Sequence, residues 1–313
     1  MMEYTVLKNS DLKVSRICMG GCPMGGYGWG EVQETELIDA VHTALDQGIN
    51  FFDTADTYGL GQSEITLGKA LGIHRKKVII ASKFGVRVGN GKTVYDNRPA
   101  WIREALHSSL KRLGTDYIDL YQIHYRDNLT PIAEVVDTLE DLKKQGYIRY
   151  YGLSNIHQSD IQELMPYIGR FVSFQDEYSL ACRKNEADMR ELAEKVRMTP
   201  LTWGSLGQGI LTGKYDKNTV FDSNDRRSRD IYVNFHGEKL LKNLEIVEAL
   251  KKIAGKHEKS VSAVAIRFIL DYLSESVVLC GAKRSSQIMG NIQGAGWHLN
   301  QEEMNILDEI SAS

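Results

Sequence analysis

The 313-residue sequence predicts an α/β protein in which eight strand–helix units close into a (β/α)8 barrel, the TIM-barrel architecture. Short apolar segments of strand length alternate with longer segments whose apolar residues have helical spacing. The connections between successive strands are long enough for parallel crossovers. Eight units could also form a doubly wound open sheet, but no Gly-x-Gly-x-x-Gly sequence opens a helix. We therefore expect the barrel, as a single domain over residues 1–313.

The individual elements follow from local patterns along the chain. A polar turn over 9–11 between strands over 4–8 and 12–15 predicts an N-terminal β-hairpin. Pro99 near the first turn of one helix and Gly146 after another are typical helix boundaries. The predicted barrel strands cover 16–19, 50–53, 78–83, 117–122, 148–152, 171–175, 200–203 and 277–280. The predicted helices cover 34–47, 63–71, 99–113, 131–145, 157–167, 185–196, 237–254, 261–273, a segment from 285, and an extra C-terminal helix over 301–310.

Composition and charge exclude several classes of protein. The 38 Lys and Arg residues against 41 Asp and Glu leave a net charge of −3, which gives no reason to expect a nucleic-acid partner. No apolar run approaches the roughly 18 residues needed to cross a bilayer. The first residues lack the basic and apolar regions of a signal peptide. We expect a soluble, cytoplasmic protein without a membrane partner, whose oligomeric state the sequence leaves open.

The four cysteines indicate neither a disulfide framework nor a metal site. They form no Cys-x-x-Cys pair, and no pair of histidines completes a zinc-ligand spacing. We expect Cys18, Cys22, Cys182 and Cys280 to be reduced thiols in or near the core.

Polar residues that end apolar strands are the candidates for catalysis, because the chemistry of such barrels lies at the carboxyl ends of the strands. Strand 50–53 ends in Asp53, with Tyr58 five residues later. Strand 78–83 ends in Lys83, and His124 follows strand 117–122. Three neighbouring strands therefore deliver a carboxylate, a phenol, an ammonium and an imidazole to one face of the barrel.

These four groups suit protonation of an alkoxide while a hydride arrives at carbon. A phenol has a pKa near 10, and we expect the ammonium of Lys83 to lower the pKa of Tyr58, with Asp53 orienting the lysine. His124 would polarise a carbonyl oxygen. Because no side chain supplies a hydride, a cofactor must. Each residue also has an ordinary structural interpretation, such as a solvated lysine or a turn-capping aspartate, and only the combination favours catalysis.

Several motifs in one order resemble those of the aldo-keto reductase superfamily. The resemblance covers about residues 4–310, in the broad bacterial-type branch. The motifs are Asn50-Phe-Phe-Asp-Thr-Ala-Asp-Thr-Tyr-Gly59 with Gly61-Gln-Ser-Glu64 and Leu67-Gly-Lys-Ala-Leu71, Leu110-Lys-Arg-Leu-Gly-Thr-Asp-Tyr-Ile-Asp-Leu-Tyr-Gln-Ile-His124, Tyr151-Gly-Leu-Ser-Asn155, Phe174-Gln-Asp-Glu-Tyr178, Gly204-Ser-Leu206 with Gly209-Ile-Leu-Thr-Gly-Lys214, and Gly281-Ala-Lys-Arg284.

The resemblance implies a barrel that binds NADP(H) without a Rossmann fold, with a catalytic tetrad of Asp53, Tyr58, Lys83 and His124. It also implies a set of cofactor-binding positions. Ser154, Asn155 and Gln175 would hold the nicotinamide carboxamide, with Trp203 stacked under the ring. The other implied cofactor contacts are Gly21, Gly204, Ser205, Leu206, Gln208, Lys214, Gly281, Lys283, Arg284, Gln287 and Asn291.

A phosphate preference can be argued from the residues themselves. Lys283 and Arg284 precede Ser285 at the predicted start of a helix, where cations and free amide donors favour an anion. A solvated Lys-Arg pair is the alternative. The related family often has a second Arg at Gln287 and an acid at Gly290. We expect NADP(H) to be preferred to NAD(H).

The resemblance implies a small carbonyl substrate, whose identity no motif defines. Candidate pocket residues follow the first and fourth barrel strands: Met24, Tyr27, Trp29, Tyr125 and Arg126. Aromatic side chains suit aromatic or sugar aldehydes, although a loop Trp or Tyr is just as often a packing residue. Arg126 could bind a polyhydroxylated or anionic substrate, or it could pair with Asp127.

Two other functions remain open at this stage. The same tetrad could work in the oxidising direction, as a sugar or alcohol dehydrogenase with ionised Tyr58 as base. In a different class, the barrel could be a cofactor-sensing subunit without enzymatic activity. A metal-dependent hydrolase is disfavoured, since it needs several His and Asp at strand ends and only His124 qualifies.

Overall fold

A computed structural model describes residues 1–89 and 92–312, and it confirms the predicted barrel. The strands in chain order are β1 (Tyr4–Val6), β2 (Lys13–Ser15), β3 (Ile17–Gly20), β4 (Phe51–Asp53), β5 (Ile79–Phe84), β6 (Val86–Gly89), β7 (Lys92–Tyr95), β8 (Ile118–Ile123), β9 (Ile148–Ser154), β10 (Phe171–Glu177), β11 (Thr199–Trp203) and β12 (Val277–Gly281). Strands β3, β4, β5, β8, β9, β10, β11 and β12 pair in parallel in this order, and the pairing of β12 with β3 closes the barrel.

Helices cover the outside of the barrel. They are α1 (Glu34–Asp46), α2 (Gln62–Leu71), α3 (Pro99–Leu113), α4 (Ile132–Lys144), α5 (Ile161–Leu164), α6 (Glu186–Lys195), α7 (Gly237–His257), α8 (Val261–Tyr272), α9 (Ser285–Ile292) and α10 (Gln301–Ser311). The apolar stripes that predict them are the buried faces: α1, for example, buries Leu37, Ala40, Val41 and Ala44. Among the described residues, none of the helices combines the length and apolar character needed to span a membrane.

The N-terminal hairpin closes the end of the barrel where the strands begin. Strands β1 and β2 pair in antiparallel register, as the turn residues predict. The buried side chains of Leu7, Leu12 and Val14 pack in one cluster with strand residues such as Phe51 and Leu120. This end of the barrel is therefore filled with apolar side chains, and the opposite end is left for the polar residues.

The structure differs from the sequence prediction in two elements. A second antiparallel hairpin, β6–β7, follows β5. Its side chains are mostly exposed, so its sequence lacks the alternation of apolar and polar residues that would predict two strands. The helix expected over 157–167 is divided into 3-10 turns at Gln158–Asp160 and Met165–Tyr167 around the four-residue α5. Pro166 occupies the start of the last turn, where it cannot continue an α-helix.

Candidate active site

A buried ion pair lies at the centre of the candidate site. Asp53 ends β4, and Lys83 lies one residue before the end of β5, so both side chains reach the carboxyl end of the barrel. Lys83 Nζ is 2.6 Å from Asp53 Oδ1 and 2.9 Å from the carbonyl oxygen of Thr54. Both side chains are almost fully buried. A pair buried this deeply needs further hydrogen bonds to its remaining polar atoms.

Two glutamines provide these bonds to Asp53. Gln175 Nε2 on β10 donates to Asp53 Oδ2 at 2.8 Å, and Gln122 Nε2 on β8 donates to the same oxygen at 3.4 Å. Gln122 was not predicted as a site residue, although its place two residues before His124 on an inward-facing strand position is a signal that could have identified it. Gln175 contacts the ion pair in addition to lining the cavity described below.

Tyr58 completes hydrogen bonding around the lysine. It lies on the loop after β4, and its Oη is 3.2 Å from Lys83 Nζ. The expectation that Lys83 lowers the pKa of Tyr58 is wrong in this structure: burial, followed by the charge of Asp53, raises the pKa of Tyr58 well above its usual value. The phenol is therefore held in its protonated form, which is the form that donates.

His124 faces Tyr58 across the site. Its backbone N–H donates to the carbonyl oxygen of Phe84 at 2.8 Å, which fixes the residue after β8. Its ring meets the Tyr58 ring edge to face, with centroids 5.8 Å apart, and stacks on Tyr125. Burial, with the charge of Lys83 second, lowers the pKa of His124 well below its usual value. The imidazole is neutral at physiological pH, and its Nδ1 has no hydrogen-bond partner among the described residues.

A cavity of about 590 Å³ extends from this group of residues. Tyr58, His124 and Asp53 line one part of it, whereas Lys83 is buried behind them. The predicted cofactor residues that line it are Ser154, Asn155, Gln175, Trp203, Gly204, Ser205, Leu206, Gln208, Lys214, Gly281, Lys283, Gln287 and Asn291. Barrel loops distant in sequence thus bring most of the predicted cofactor set to one space.

Amide, hydroxyl and cationic side chains line the cavity. Beside the tetrad, Asn155 Nδ2 donates to the carbonyl oxygen of His124 at 2.9 Å, and Ser154 Oγ donates to the carbonyl oxygen of Gln175 at 3.0 Å. Asn291 also lines the cavity, and its Nδ2 is buried without a hydrogen-bond partner among the described residues. Four cationic side chains also line the cavity, and these are Lys214, Arg226, Arg227 and Lys283. Amide groups and cations of this kind suit an elongated, anionic, nitrogen-rich ligand.

Two predicted cofactor residues lie outside the cavity lining. Gly21 lies behind the wall, where its N–H donates to the carbonyl oxygen of Asp53 at 2.6 Å. Arg284 is largely exposed, and its Nε is 3.0 Å from Oε1 of Glu36 on α1. Lys283 lines the cavity, and its Nζ donates to the carbonyl oxygen of Trp29 at 2.5 Å.

The candidate substrate residues are divided among four environments. Trp29 and Tyr125 line the cavity. Met24 is buried in the hydrophobic core, and Tyr27 is exposed with the Arg226 guanidinium 4.7 Å from its ring centroid. Arg126 forms hydrogen bonds of 3.1 Å with both carboxylate oxygens of Glu163. Its expected alternative partner, Asp127, instead accepts hydrogen bonds from Asn97 and Thr130, because the carboxylate caps that turn.

The connection after β11 contributes residues that the sequence prediction missed. Arg226, Arg227 and Tyr232 line the cavity, although the sequence analysis named none of them as a candidate site residue. The Arg226 backbone N–H donates to the carbonyl oxygen of Gly28 at 3.0 Å. The adjacent arginines were a signal of an anion site, but only the fold brings them to the loop after β3.

The fold and this site define a class: barrel oxidoreductases that use a nicotinamide cofactor. Residues 16–312 match the sequence profile of the aldo/keto reductase family. The protein belongs to the aldo/keto reductase family, as the sequence motifs predicted.

Relatives of this chain include enzymes with different activities. An aldo-keto reductase of Bacillus subtilis (YhdN) is 36% identical over 99% of this chain and 93% of its own length. A protein named NADH-specific methylglyoxal reductase, from Escherichia coli, is 29% identical over 99% of this chain and 98% of its own length. Among solved structures, the glycerol dehydrogenase AKR11B4 of Gluconobacter oxydans has a TM-score of 0.89 and 36% identity, covering 99% of this chain and 95% of that chain.

Proposed function

We propose that this protein reduces an aldehyde or ketone to the alcohol, with NADPH as hydride donor and Tyr58 as proton donor. The observation that carries the proposal is the Tyr58–Lys83 contact of 3.2 Å beside a neutral His124, at a cavity lined by amides and cations. A carbonyl oxygen in the space between Tyr58 and His124 would accept hydrogen bonds from both.

In the proposed reaction, the bound cofactor supplies the hydride. Tyr58 Oη gives its proton to the oxygen as negative charge develops there, and Lys83 stabilises the phenolate that remains. Asp53 and Gln175 hold the lysine in place through the hydrogen-bond chain described above. His124 orients the oxygen as a neutral donor.

The cofactor preference is proposed on charge. Lys283 and the cations that line the same cavity favour a ligand that carries an extra phosphate. The ion pair between Arg284 and Glu36 opposes this preference, because it neutralises one of the two predicted phosphate contacts. The name of the Escherichia coli relative is consistent with use of NADH in the family. We propose NADPH as the better ligand, with NADH accepted.

The proposed substrates are small polar or aromatic carbonyl compounds, with sugar aldehydes included. Trp29 and Tyr125 supply aromatic walls to the cavity, and Tyr125 stacks on His124. The names of two relatives, a methylglyoxal reductase and a glycerol dehydrogenase, are consistent with three-carbon substrates. Arg126 is not retained as a substrate contact, because Glu163 occupies its guanidinium.

The Tyr58→Phe variant tests this proposal. We expect its turnover to fall by about 10²–10⁴-fold, because the proton donor is lost, while NADPH still binds. The measurement is the loss of NADPH and NADH absorbance with a panel of aldehydes, ketones and sugars. Tyr27→Phe is the matched control, since it removes an exposed phenol outside the cavity lining and should leave turnover unchanged. Equal turnover in Tyr58→Phe and wild type would refute the assignment of Tyr58.

A second candidate is alcohol oxidation, favoured by the similarity to a glycerol dehydrogenase. In that direction Tyr58 must be ionised, and its raised pKa makes the ionised form scarce at neutral pH. Oxidation should therefore become faster only as the pH becomes alkaline.

Tight cofactor binding without turnover in either direction would instead indicate a cofactor-sensing subunit.

A further inference from the structure

Three potential metal ligands meet outside the cavity, on the outer face of the barrel wall. They are His157 after β9, Asp176 on β10, and Asp188 in the first turn of α6. Nδ1 of His157 and one carboxylate oxygen of each aspartate all lie within 4.8 Å of one another. We propose that these residues bind a divalent transition-metal ion of the zinc class. This inference does not depend on the proposed function.

Two of the three distances between ligand atoms lie on either side of the spacing that such an ion requires. His157 Nδ1 is 2.8 Å from Asp188 Oδ2 and 3.9 Å from Asp176 Oδ2. A tetrahedral zinc ion with bonds of about 2.1 Å places its ligand atoms about 3.4 Å apart, between these two distances. One imidazole nitrogen and two carboxylate oxygens form a donor set that zinc accepts, and a fourth position remains for water.

The second oxygen of each aspartate is already held, so both carboxylates are oriented. Asp176 Oδ1 accepts hydrogen bonds from the Glu177 N–H at 2.7 Å and from Asn185 Nδ2 at 3.0 Å. Asp188 Oδ1 accepts from the Gln158 N–H at 3.3 Å. In both residues the remaining oxygen, Oδ2, is the one closest to His157. Outer hydrogen bonds of this kind orient the ligands in metal sites.

A buried oxygen without a partner points to a missing ligand. The side chain of Asp176 is 3% exposed, and its Oδ2 has no hydrogen-bond partner among the described residues. A buried acceptor left unsatisfied is costly, and a cation would satisfy it. The exposed fraction increases to 19% for Asp188 and 53% for His157, which gives an ion a path from solvent. An ion pair between His157 and Asp188 alone would leave Asp176 Oδ2 unsatisfied.

The position of the site gives it a structural role. His157 follows Asn155 by two residues, and Asp176 directly follows Gln175. The Asn155 N–H donates to the carbonyl oxygen of Gln175 at 2.8 Å, so these strand ends already meet. A bound ion would join them to α6 and stabilise the wall of the cavity from outside. The sequence predicted no metal site, because its three ligands come from separate segments.

Metal titration of EDTA-treated protein tests the proposal. We expect ZnCl2 to bind with one equivalent per chain in calorimetry and to raise Tm by mass action. His157→Ala and Asp188→Asn should each weaken binding at least about tenfold, a loss typical even of outer-shell changes. CoCl2 should give the visible absorption of a nitrogen–oxygen site, without a thiolate band.

The matched control is His298→Gln. His298 is also exposed and also pairs with an aspartate, since its Nδ1 is 2.7 Å from Asp271 Oδ1, but it lies outside the three-ligand cluster. We expect this variant to bind zinc like the wild type. Circular dichroism checks that each variant is folded, and Asp176→Asn provides a third, isosteric change. The proposal is overturned if zinc does not bind stoichiometrically, or if His157→Ala binds zinc as tightly as the wild type. It is also overturned if cobalt gives a thiolate band that disappears in Cys182→Ser, because the ion would then be bound by a cysteine.

Discussion

Tyr58 lies within hydrogen-bond distance of an ammonium group, yet its phenol has a raised pKa. The reason lies in the ion pair behind it: Lys83 Nζ is closer to Asp53 Oδ1, at 2.6 Å, than to Tyr58 Oη, at 3.2 Å. The carboxylate balances most of the positive charge that Tyr58 would experience, and burial then decides the direction. In the proposed reaction the proton stays on the phenol until negative charge develops on the substrate.

Glu36 is the residue that should limit discrimination between NADPH and NADH. Its carboxylate pairs with Arg284, next to the predicted phosphate site. Glu36→Gln should free the guanidinium and remove a repelling charge, so that the Kd for NADPH falls several-fold, up to about tenfold, while that for NADH stays constant. Fluorescence titration with both cofactors measures this.

Glu34→Gln is the control for that experiment, because Glu34 lies on the same helix and pairs with Lys69 instead. An equal change in the affinities for both cofactors in Glu36→Gln would show that Arg284 does not contact the extra phosphate.

Asp56 should make the protein less stable as the pH rises. Burial, followed by the charge of Glu64, raises the pKa of Asp56 from 3.8 to about 8. Between these values the unfolded chain ionises Asp56 while the folded protein keeps it protonated, so the stability that this group contributes at low pH is lost as the pH rises. Asp56→Asn cannot ionise, and we expect its Tm to exceed that of the wild type by a margin that grows from pH 5 to pH 8.

Differential scanning calorimetry between pH 5 and pH 9 measures this margin. It should stop growing above about pH 8, where Asp56 ionises in the folded state as well. The exposed Asp137→Asn on α4 serves as the control, and its Tm should follow that of the wild type. A margin for Asp56→Asn that is the same at every pH would contradict the argument.

The loop carrying Tyr58 is held against a neighbouring element by two glycines. The 3-10 turn Cys22–Gly25 packs so closely on Tyr58 and Gly59 that a Cβ on Gly59 would overlap the carbonyl oxygen of Gly25. Gly59 also has a φ of 62°, in the left-handed region that glycine tolerates best. This contact determines where the phenol lies relative to β4 and β5.

Gly59→Ala should therefore lower both stability and activity. The added Cβ requires the turn or the loop to move, and a displaced Tyr58 no longer meets Lys83. We expect Tm to fall by several degrees and kcat to fall at least about tenfold. Gly255→Ala is the contrasting change, because a Cβ there meets open space in α7 and should stabilise the helix by about 0.5–1 kcal/mol. Wild-type kcat in Gly59→Ala would show that the contact does not position Tyr58.

Elements with local sequence signals were predicted well, and elements without them were missed. The predicted and observed bounds of helix α3 are the same. Pro99 begins the helix, and Gly114 ends it with a left-handed φ of 63°. Hairpin β6–β7 was missed because an exposed hairpin needs no apolar alternation. Strand ends predicted that Asp53, Tyr58, Lys83 and His124 would lie close together, and the structure places them so. The pairing of Arg284 with Glu36 was missed because it joins segments 248 residues apart. Strand ends are a local property, and ion-pair partners depend on the whole fold.

At the scale of the molecule, the barrel separates stability from chemistry along its axis. One end is closed by the N-terminal hairpin, whose Leu7, Leu12 and Val14 pack with apolar strand residues. The hairpin is also bound to the strand starts by polar contacts, such as the Lys8 N–H donating to Thr199 Oγ1 at 2.8 Å. The other end carries Asp53, Lys83 and the cavity. We therefore expect a change in the hairpin to affect the candidate active site only by destabilising the whole fold.

Leu12→Ala tests this separation. Leu12 is 1% exposed, and loss of a buried leucine side chain costs about 2–5 kcal/mol, so Tm should fall clearly. Because the cavity lies at the opposite end of the barrel, kcat and KM at 25 °C should equal those of the wild type as long as the variant is folded. Leu129→Ala, at a site that is 87% exposed, should change neither Tm nor kinetics. If Leu12→Ala lowered kcat at a temperature where circular dichroism shows it fully folded, the two ends of the barrel would be coupled, and the hairpin would belong to the functional architecture as well as to the core.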